Sequence, residues 1–176
     1  MKISSLQTAR YEYAPKLPGM LRNGIANISV KEGAETQSVA DQEKIKALFP
    51  NTYGKKEITF EQGENTSIAK KQVVGVILSG GQAPGGHNVI SGLYDGIKKL
   101  NPASKLYGFI LGPGGLVDHK YMELTDEIID EYRNTGGFDI IGSGRTKLEK
   151  EEQFEKGLEI LKELDIKALV IIGGDD

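Results

Sequence analysis

Three short segments carry residue types that could handle phosphate. Gly80-Gly81-Gln82-Ala83-Pro84-Gly85-Gly86-His87-Asn88 opens with four glycines and one proline in seven residues. Placed between a strand and a helix, such a loop turns backbone N–H groups and the positive helix end toward an anion. Its missing Cβ atoms let phosphate oxygens come close. The order is neither a Walker-type loop, which ends in Gly-Lys-Ser/Thr, nor a dinucleotide fingerprint. Gly142-Ser143-Gly144-Arg145-Thr146-Lys147 adds a guanidinium, whose planar fork can hold two phosphate oxygens at once. Ile171-Ile172-Gly173-Gly174-Asp175-Asp176 ends on two carboxylates. Mg²⁺ favours one or two carboxylates plus phosphate oxygens and water, so Asp175 is a candidate metal ligand. Neighbouring carboxylates repel unless a cation lies near. Each segment alone also suits a plain tight turn. His87 reads as a loop residue, because the other histidine, His119, is far along the chain.

The elements around these segments repeat one pattern. Val73 to Leu78 is an unbroken apolar run, as expected of a strand buried on both faces of a parallel sheet. A helix is expected from about Asn88 to Leu100, with Val89, Ile90, Leu93, Ile97 and Leu100 on its apolar face. Leu106 to Leu111 reads as a second strand, running into Gly112-Pro113-Gly114-Gly115. Glu127 to Tyr132 reads as a helix after Thr125, and Asp139-Ile140-Ile141 as a short third strand. Thr146 and Glu149 have capping-box spacing for a helix whose stripe is Phe154, Leu158, Leu161 and Leu164. Ala168 to Ile172 is the last strand. Strands alternating with helices, each strand ending in glycine, predict an α/β fold: a Rossmann-like, mostly parallel sheet with flanking helices and ligand loops along its carboxyl edge.

Composition narrows the classes further. There are 23 glycines among 176 residues, 18 of them at or after Gly75, and they cluster at strand ends as close approach to a ligand requires. The net charge is −3 with both signs mixed along the chain, so nothing predicts nucleic-acid or membrane binding. The chain has no cysteine, which excludes disulfides, thiolate metal sites and a cysteine nucleophile. A soluble, cytoplasmic protein is the expectation. Residues 1–72 form an N-terminal extension: Pro15, Pro18 and Gly19 interrupt the start, Asp41 to Phe49 suits a short helix stopped by Pro50, and Glu57 to Phe60 suits a short strand. Residues 73–176 form the α/β domain that binds the phosphoryl donor. A chain ending directly after a strand is expected of a truncated parent with an incomplete core.

Taken in order, the three segments resemble those of the phosphofructokinase family, which carries a Gly-Gly-x-x-Pro-Gly-x-Asn loop, a Gly-Ser-x-Arg loop and a Gly-Gly-Asp-Gly loop. One extra residue in the first loop (Gly86 or His87), and Asp176 where the ATP-type pattern has glycine, resemble the pyrophosphate-dependent branch. So do Gln82 to Gly92, Asn134-Thr135-Gly136-Gly137-Phe138-Asp139 and Leu48-Phe49-Pro50-Asn51. The resemblance implies that Gly80, Gly81 and Arg145 bind phosphate and that Asp175 binds Mg²⁺. It implies that Asp176 acts in catalysis by positioning and by excluding the ATP α-phosphate through bulk and like charge. The parent would move a phosphoryl group from pyrophosphate to fructose 6-phosphate, as a homo-oligomer. The family's base, in a Thr-x-Asp segment, and most of its sugar pocket are expected downstream, so the 176 residues alone are expected to be inactive. An ATP-dependent kinase of the same superfamily, or a non-catalytic phosphate-binding regulatory subunit, remain the alternatives.

Overall fold

The computed structural model describes residues 3–64 and 70–173. The chain divides into two compact units, Lys16–Ile68 and the remainder, so the first fifteen residues cluster with the α/β part. Helix α1 (Ser5–Glu12) starts where the Ser4 side chain accepts the Gln7 N–H at 3.2 Å, which satisfies one of its free first-turn donors. Within the unit Lys16–Ile68, β1 (Ile28–Glu35) pairs antiparallel with β2 (Lys56–Gln62), setting Val30 opposite Phe60. Between them lies α2 (Gln42–Leu48), which stops just short of Pro50 as expected.

The α/β unit is built on a four-stranded sheet in the order β5-β4-β3-β6, with β3 (Val73–Leu78), β4 (Lys105–Phe109), β5 (Tyr121–Leu124) and β6 (Ala168–Ile172). β3 pairs parallel with β4 and with β6, while β5 adds antiparallel to β4. Every β3 residue is buried, because both sheet faces are covered. On one face Val74, Val76 and Leu78 pack with α3 (Gly86–Leu100) and α5 (Asp126–Tyr132). On the other, Ile77 and Phe109 pack with Leu116 of α4 (Pro113–Val117) and Ile160 of α6 (Glu151–Glu163). Tyr94 joins α3 to α5 through a 2.8 Å bond from its hydroxyl to Asp126. Burial and that carboxylate push the phenol up to about 12.

Several sequence expectations need correction. Of the face expected for α3, Ile90 and Ile97 are buried and Leu93 packs against the core, whereas Val89 is 49 % exposed; His87, Ser91 and Tyr94 complete the buried stripe. Residues 139–141 are not a strand. Ile141 instead plugs the core above Gly108, where a Cβ would meet its Cγ2 at 2.5 Å, and a turn closes as Gly142 N–H donates to Asp139 O at 3.2 Å. β4 ends at Phe109, before Leu111 turns to φ 58°. The start of α6 is held by Gln153, whose Oε1 accepts the N–H groups of Glu149 and Lys150 at 3.0 Å each. The spacing of Thr146 and Glu149 does no capping, and Thr146 packs against Gly114. On α6 it is Gly157 and Ile160 that are buried, whereas Phe154 and Leu158 are 55 % and 51 % exposed.

Ile90 has no exposure and Ile171 on the edge strand has 63 %. Ile90→Ala should therefore cost about 2–5 kcal/mol, and Ile171→Ser less than about 0.5 kcal/mol. Urea unfolding midpoints of the two variants check both values.

Candidate functional site

Three of the chemistry-bearing segments meet at the carboxyl end of β3. Ser79 N–H donates to Ile172 O at 2.7 Å, Gly80 N–H to Gly144 O at 2.9 Å, and Gly144 N–H to Leu78 O at 3.4 Å. Ser79 and Gly144 thus form a one-residue parallel bridge. Gly144 takes the place beside β3 that β4 has vacated by turning away. Only glycine fits there: a Cβ on Gly144 would run into the Leu111 carbonyl oxygen, and one on Gly112 would lie 2.5 Å from Gly144 N. The approach explains why glycines of two separate loops are needed.

This contact sets Arg145 over Gly81, where a Cβ would stand 2.9 Å from its Nη2. Arg145 is exposed and has no carboxylate partner among the described residues. The N–H groups of Gly81, Gln82 and Ala83 likewise make no hydrogen bond among the described residues. The N–H of Gly80 is occupied by Gly144, and its φ of 91° makes it the turn residue. The start of α3 is partly closed as well, because Gly85 and His87 donate to Gly136 O and Gly137 O at 2.8 and 3.0 Å. Free donors for an anion therefore lie in the loop before the helix, next to a guanidinium. They line one end of an open cleft of about 1610 Å³ that also reaches Gly173, Phe154, Leu158 and Ile171. Gly80, Gly81 and Arg145 are brought together; Asp175 and Asp176 lie outside the described residues.

Beneath the loop, His87 is 2 % exposed. Its Nε2 accepts the N–H groups of Asp139 and Ile140 at 2.8 and 3.0 Å. Its Nδ1 lies 2.5 Å from Thr135 Oγ1, and that hydroxyl donates to Tyr132 O at 2.6 Å. The ring is therefore the neutral Nδ1–H tautomer. Burial lowers its pKa, outweighing Asp139, which raises it. Segment 133–140 is further held by Arg133, bidentate to Asp95 of α3 at 2.7 and 3.0 Å. Asn134 bonds to the carbonyls of Arg10 and Tyr13 at 3.0 and 3.1 Å. The ring's part in this support was missed in the sequence. The adjacent pair Gly136-Gly137 was the available signal, since Gly137 with a Cβ would meet His87 Cε1 at 2.6 Å.

The family model described as Phosphofructokinase matches residues 73–176. Over all 176 residues the chain is 62 % identical to pyrophosphate–fructose 6-phosphate 1-phosphotransferase of Porphyromonas gingivalis, and 47 % identical to the protein of the same name from Entamoeba histolytica. It spans 32 % of the length of each of these relatives. A crystal structure of Pichia pastoris phosphofructokinase in the T-state matches 65 % of this chain and 12 % of its own, at 26 % identity and a TM-score of 0.50.

The packing separates two glycine roles. Gly144→Ala should cost at least about 2 kcal/mol, because a rigid carbonyl blocks the new methyl. Gly81→Ala should change stability by less than about 0.5 kcal/mol, since the mobile end of Arg145 can move aside. Thermal and urea unfolding of both variants would show the difference.

Proposed function

The chain belongs to the phosphofructokinase family, and on that premise we propose that it carries the phosphoryl-donor site of an enzyme that phosphorylates fructose 6-phosphate from pyrophosphate. The observation that carries this reading is the set of unpaired N–H groups of Gly81, Gln82 and Ala83 beside the unpartnered Arg145. Short donors and a planar cation suit a compact polyanion. The names of the two relatives support pyrophosphate as that polyanion and fructose 6-phosphate as acceptor.

In the whole protein these residues would bind and orient the terminal phosphoryl group and neutralise its oxygens, which is most of what phosphoryl transfer asks of a protein. Loop N–H groups fixed before the substrate arrives need no reorganisation when charge shifts toward the leaving phosphate. Among the described residues no three metal-ligating side chains cluster. An octahedral Mg²⁺ completed by phosphate oxygens needs only one or two carboxylates, a demand that Asp175, two residues past the cleft-lining Gly173, would meet. When bound there, the ion would neutralise and template the phosphates. Asp176 would exclude a bulkier nucleotide donor. The reading includes a homo-oligomer, the commonest form of closed assembly. It also includes a cytoplasmic setting, since its charged substrates do not cross bilayers unaided.

Two unit charges about 4 Å apart interact by roughly 4 kcal/mol at an effective dielectric of about 20. In the whole protein, Asp176→Gly should therefore raise the kcat/KM ratio of ATP to pyrophosphate by about tenfold or more. Asp175→Ala should abolish turnover with either donor. The 176-residue chain alone should give no fructose 1,6-bisphosphate. Coupled assays with each donor measure all three, and an unchanged donor ratio in folded Asp176→Gly protein removes that residue from donor selection.

A further inference from the structure

We propose that His87 is a proton-operated positioning residue: its neutral ring holds the donor loop in its anion-binding shape, and protonation releases that hold. The inference rests on the donor-site reading above.

The two ring nitrogens have different partners. Nε2 accepts two backbone N–H groups, from Asp139 and Ile140, and an acceptor of this kind carries no proton. The carboxylate oxygen Oδ1 of Asp139 lies 2.9 Å from the same Nε2. A neutral Nε2 and a carboxylate oxygen are both acceptors, so this approach is unfavourable while the ring is neutral. Once Nε2 is protonated it is the stronger contact, a charge-assisted hydrogen bond. One proton therefore exchanges the partners of Nε2: two amides that fix segment 139–140 are lost and one exposed carboxylate is gained. Asp139 is the only charged group that faces the ring among the described residues. The other neighbour with a titratable group is Tyr132, whose ring meets the imidazole edge-on at 4.9 Å.

The consequence reaches the loop because His87 is its last buried residue. His87 N–H donates to Gly137 O at 3.0 Å, Gly85 N–H donates to Gly136 O at 2.8 Å, and Gly86 lies against the Phe138 ring with no room for a Cβ. Segment 136–140 is thus the back wall on which Gly85 and Gly86 rest, and those two glycines line the same cleft as Gly81 and Arg145. Loosening the wall loosens the cradle, while no group that touches the anion changes charge.

The sign follows from the burial of the ring, which lowers its pKa below 6.5. The stabilising arrangement is fully present above the unfolded value and is lost as pH falls through the lowered folded value. Pyrophosphate also takes up protons in this range, so a variant that cannot titrate must supply the baseline. His87→Gln keeps an acceptor near the Nε2 position and carries no ionisable group.

The test is pyrophosphate binding by calorimetry from pH 8 to pH 5.5 on the 176-residue chain, wild type against His87→Gln and Asp139→Asn. At pH 8 the three should agree within about threefold. Once the pH falls through the lowered pKa of the ring, the wild type should lose affinity faster than His87→Gln, by up to about tenfold per pH unit for one linked proton. Asp139→Asn, which removes only an exposed carboxylate, should move the wild-type loss to lower pH. Imidazole ¹⁵N shifts followed over the same range should show an unprotonated Nε2 at pH 8, with the Asp139 and Ile140 amides moving as it titrates. Superimposable wild-type and His87→Gln profiles, an unmoved profile in Asp139→Asn, or a protonated Nε2 at pH 8 would each overturn the proposal. No pyrophosphate binding by folded wild type at pH 8 would instead sink the donor-site reading, and the ¹⁵N titration would still decide whether the partner exchange occurs.

Discussion

At the carboxyl end of β3 the backbone of Gly144 lies between two other backbones, hydrogen-bonded to Leu78 and Gly80 on one side and pressed against Leu111 and Gly112 on the other. A side chain at position 144 would push these strands apart. Because it is absent, the loop after residue 141 can complete the sheet where β4 turns away, and Arg145 is carried over Gly81 as the next residue in line. The position of the guanidinium is therefore set by main-chain packing rather than by a salt bridge. That leaves its charge available, whereas a cation held by a carboxylate would have part of its charge already answered.

The same packing explains what could be read beforehand. β3 was legible because Val73 to Leu78 is apolar without a break, which suits a strand covered on both faces. The three loops were legible as loops because their glycines cluster. Their meeting was not, since it depends on which strand lies next to which. β5 was missed because Tyr121 to Leu124 alternates exposure on an antiparallel edge, with Glu123 paired to Lys105 at 2.8 Å; four residues give too short a period to detect. α1 was missed although Ser4 and Gln7 have capping-box spacing, because Pro15, Pro18 and Gly19 drew the whole stretch toward irregular structure. Phe154 and Leu158 were assigned to the apolar stripe of their helix on periodicity alone. Periodicity marks an apolar face, yet it cannot say whether the partner of that face lies within the same stretch of chain.

The open face of α6 lines the cleft. Both ends of it are open: Gly81, Gln82, Ala83 and Arg145 are exposed at the polar end, and Phe154, Leu158 and Ile171 at the apolar end. A buried site strengthens every electrostatic interaction inside it, and an open one lets water weaken them. The loop proposed to hold the donor thus has its geometry without the low dielectric that would strengthen its charge interactions.

Rigidity and charge are assigned to different residues here. The groups that face the cleft, Arg145 and the N–H groups of Gly81 to Ala83, have no partners among the described residues. Several groups behind it are paired: His87 with Thr135, Asp139 and Ile140, Arg133 with Asp95, and Asn134 with the carbonyls of Arg10 and Tyr13. On the proposed reading, a polyanion is not drawn in by the overall field of a chain of net charge −3, so local donors would have to hold it. Unpaired donors on a loose loop would collapse onto nearby carbonyls and lose their capacity. Those donors stay free because a paired layer behind them holds the loop open, and the energy that orders the loop is supplied by residues that do not line the cleft.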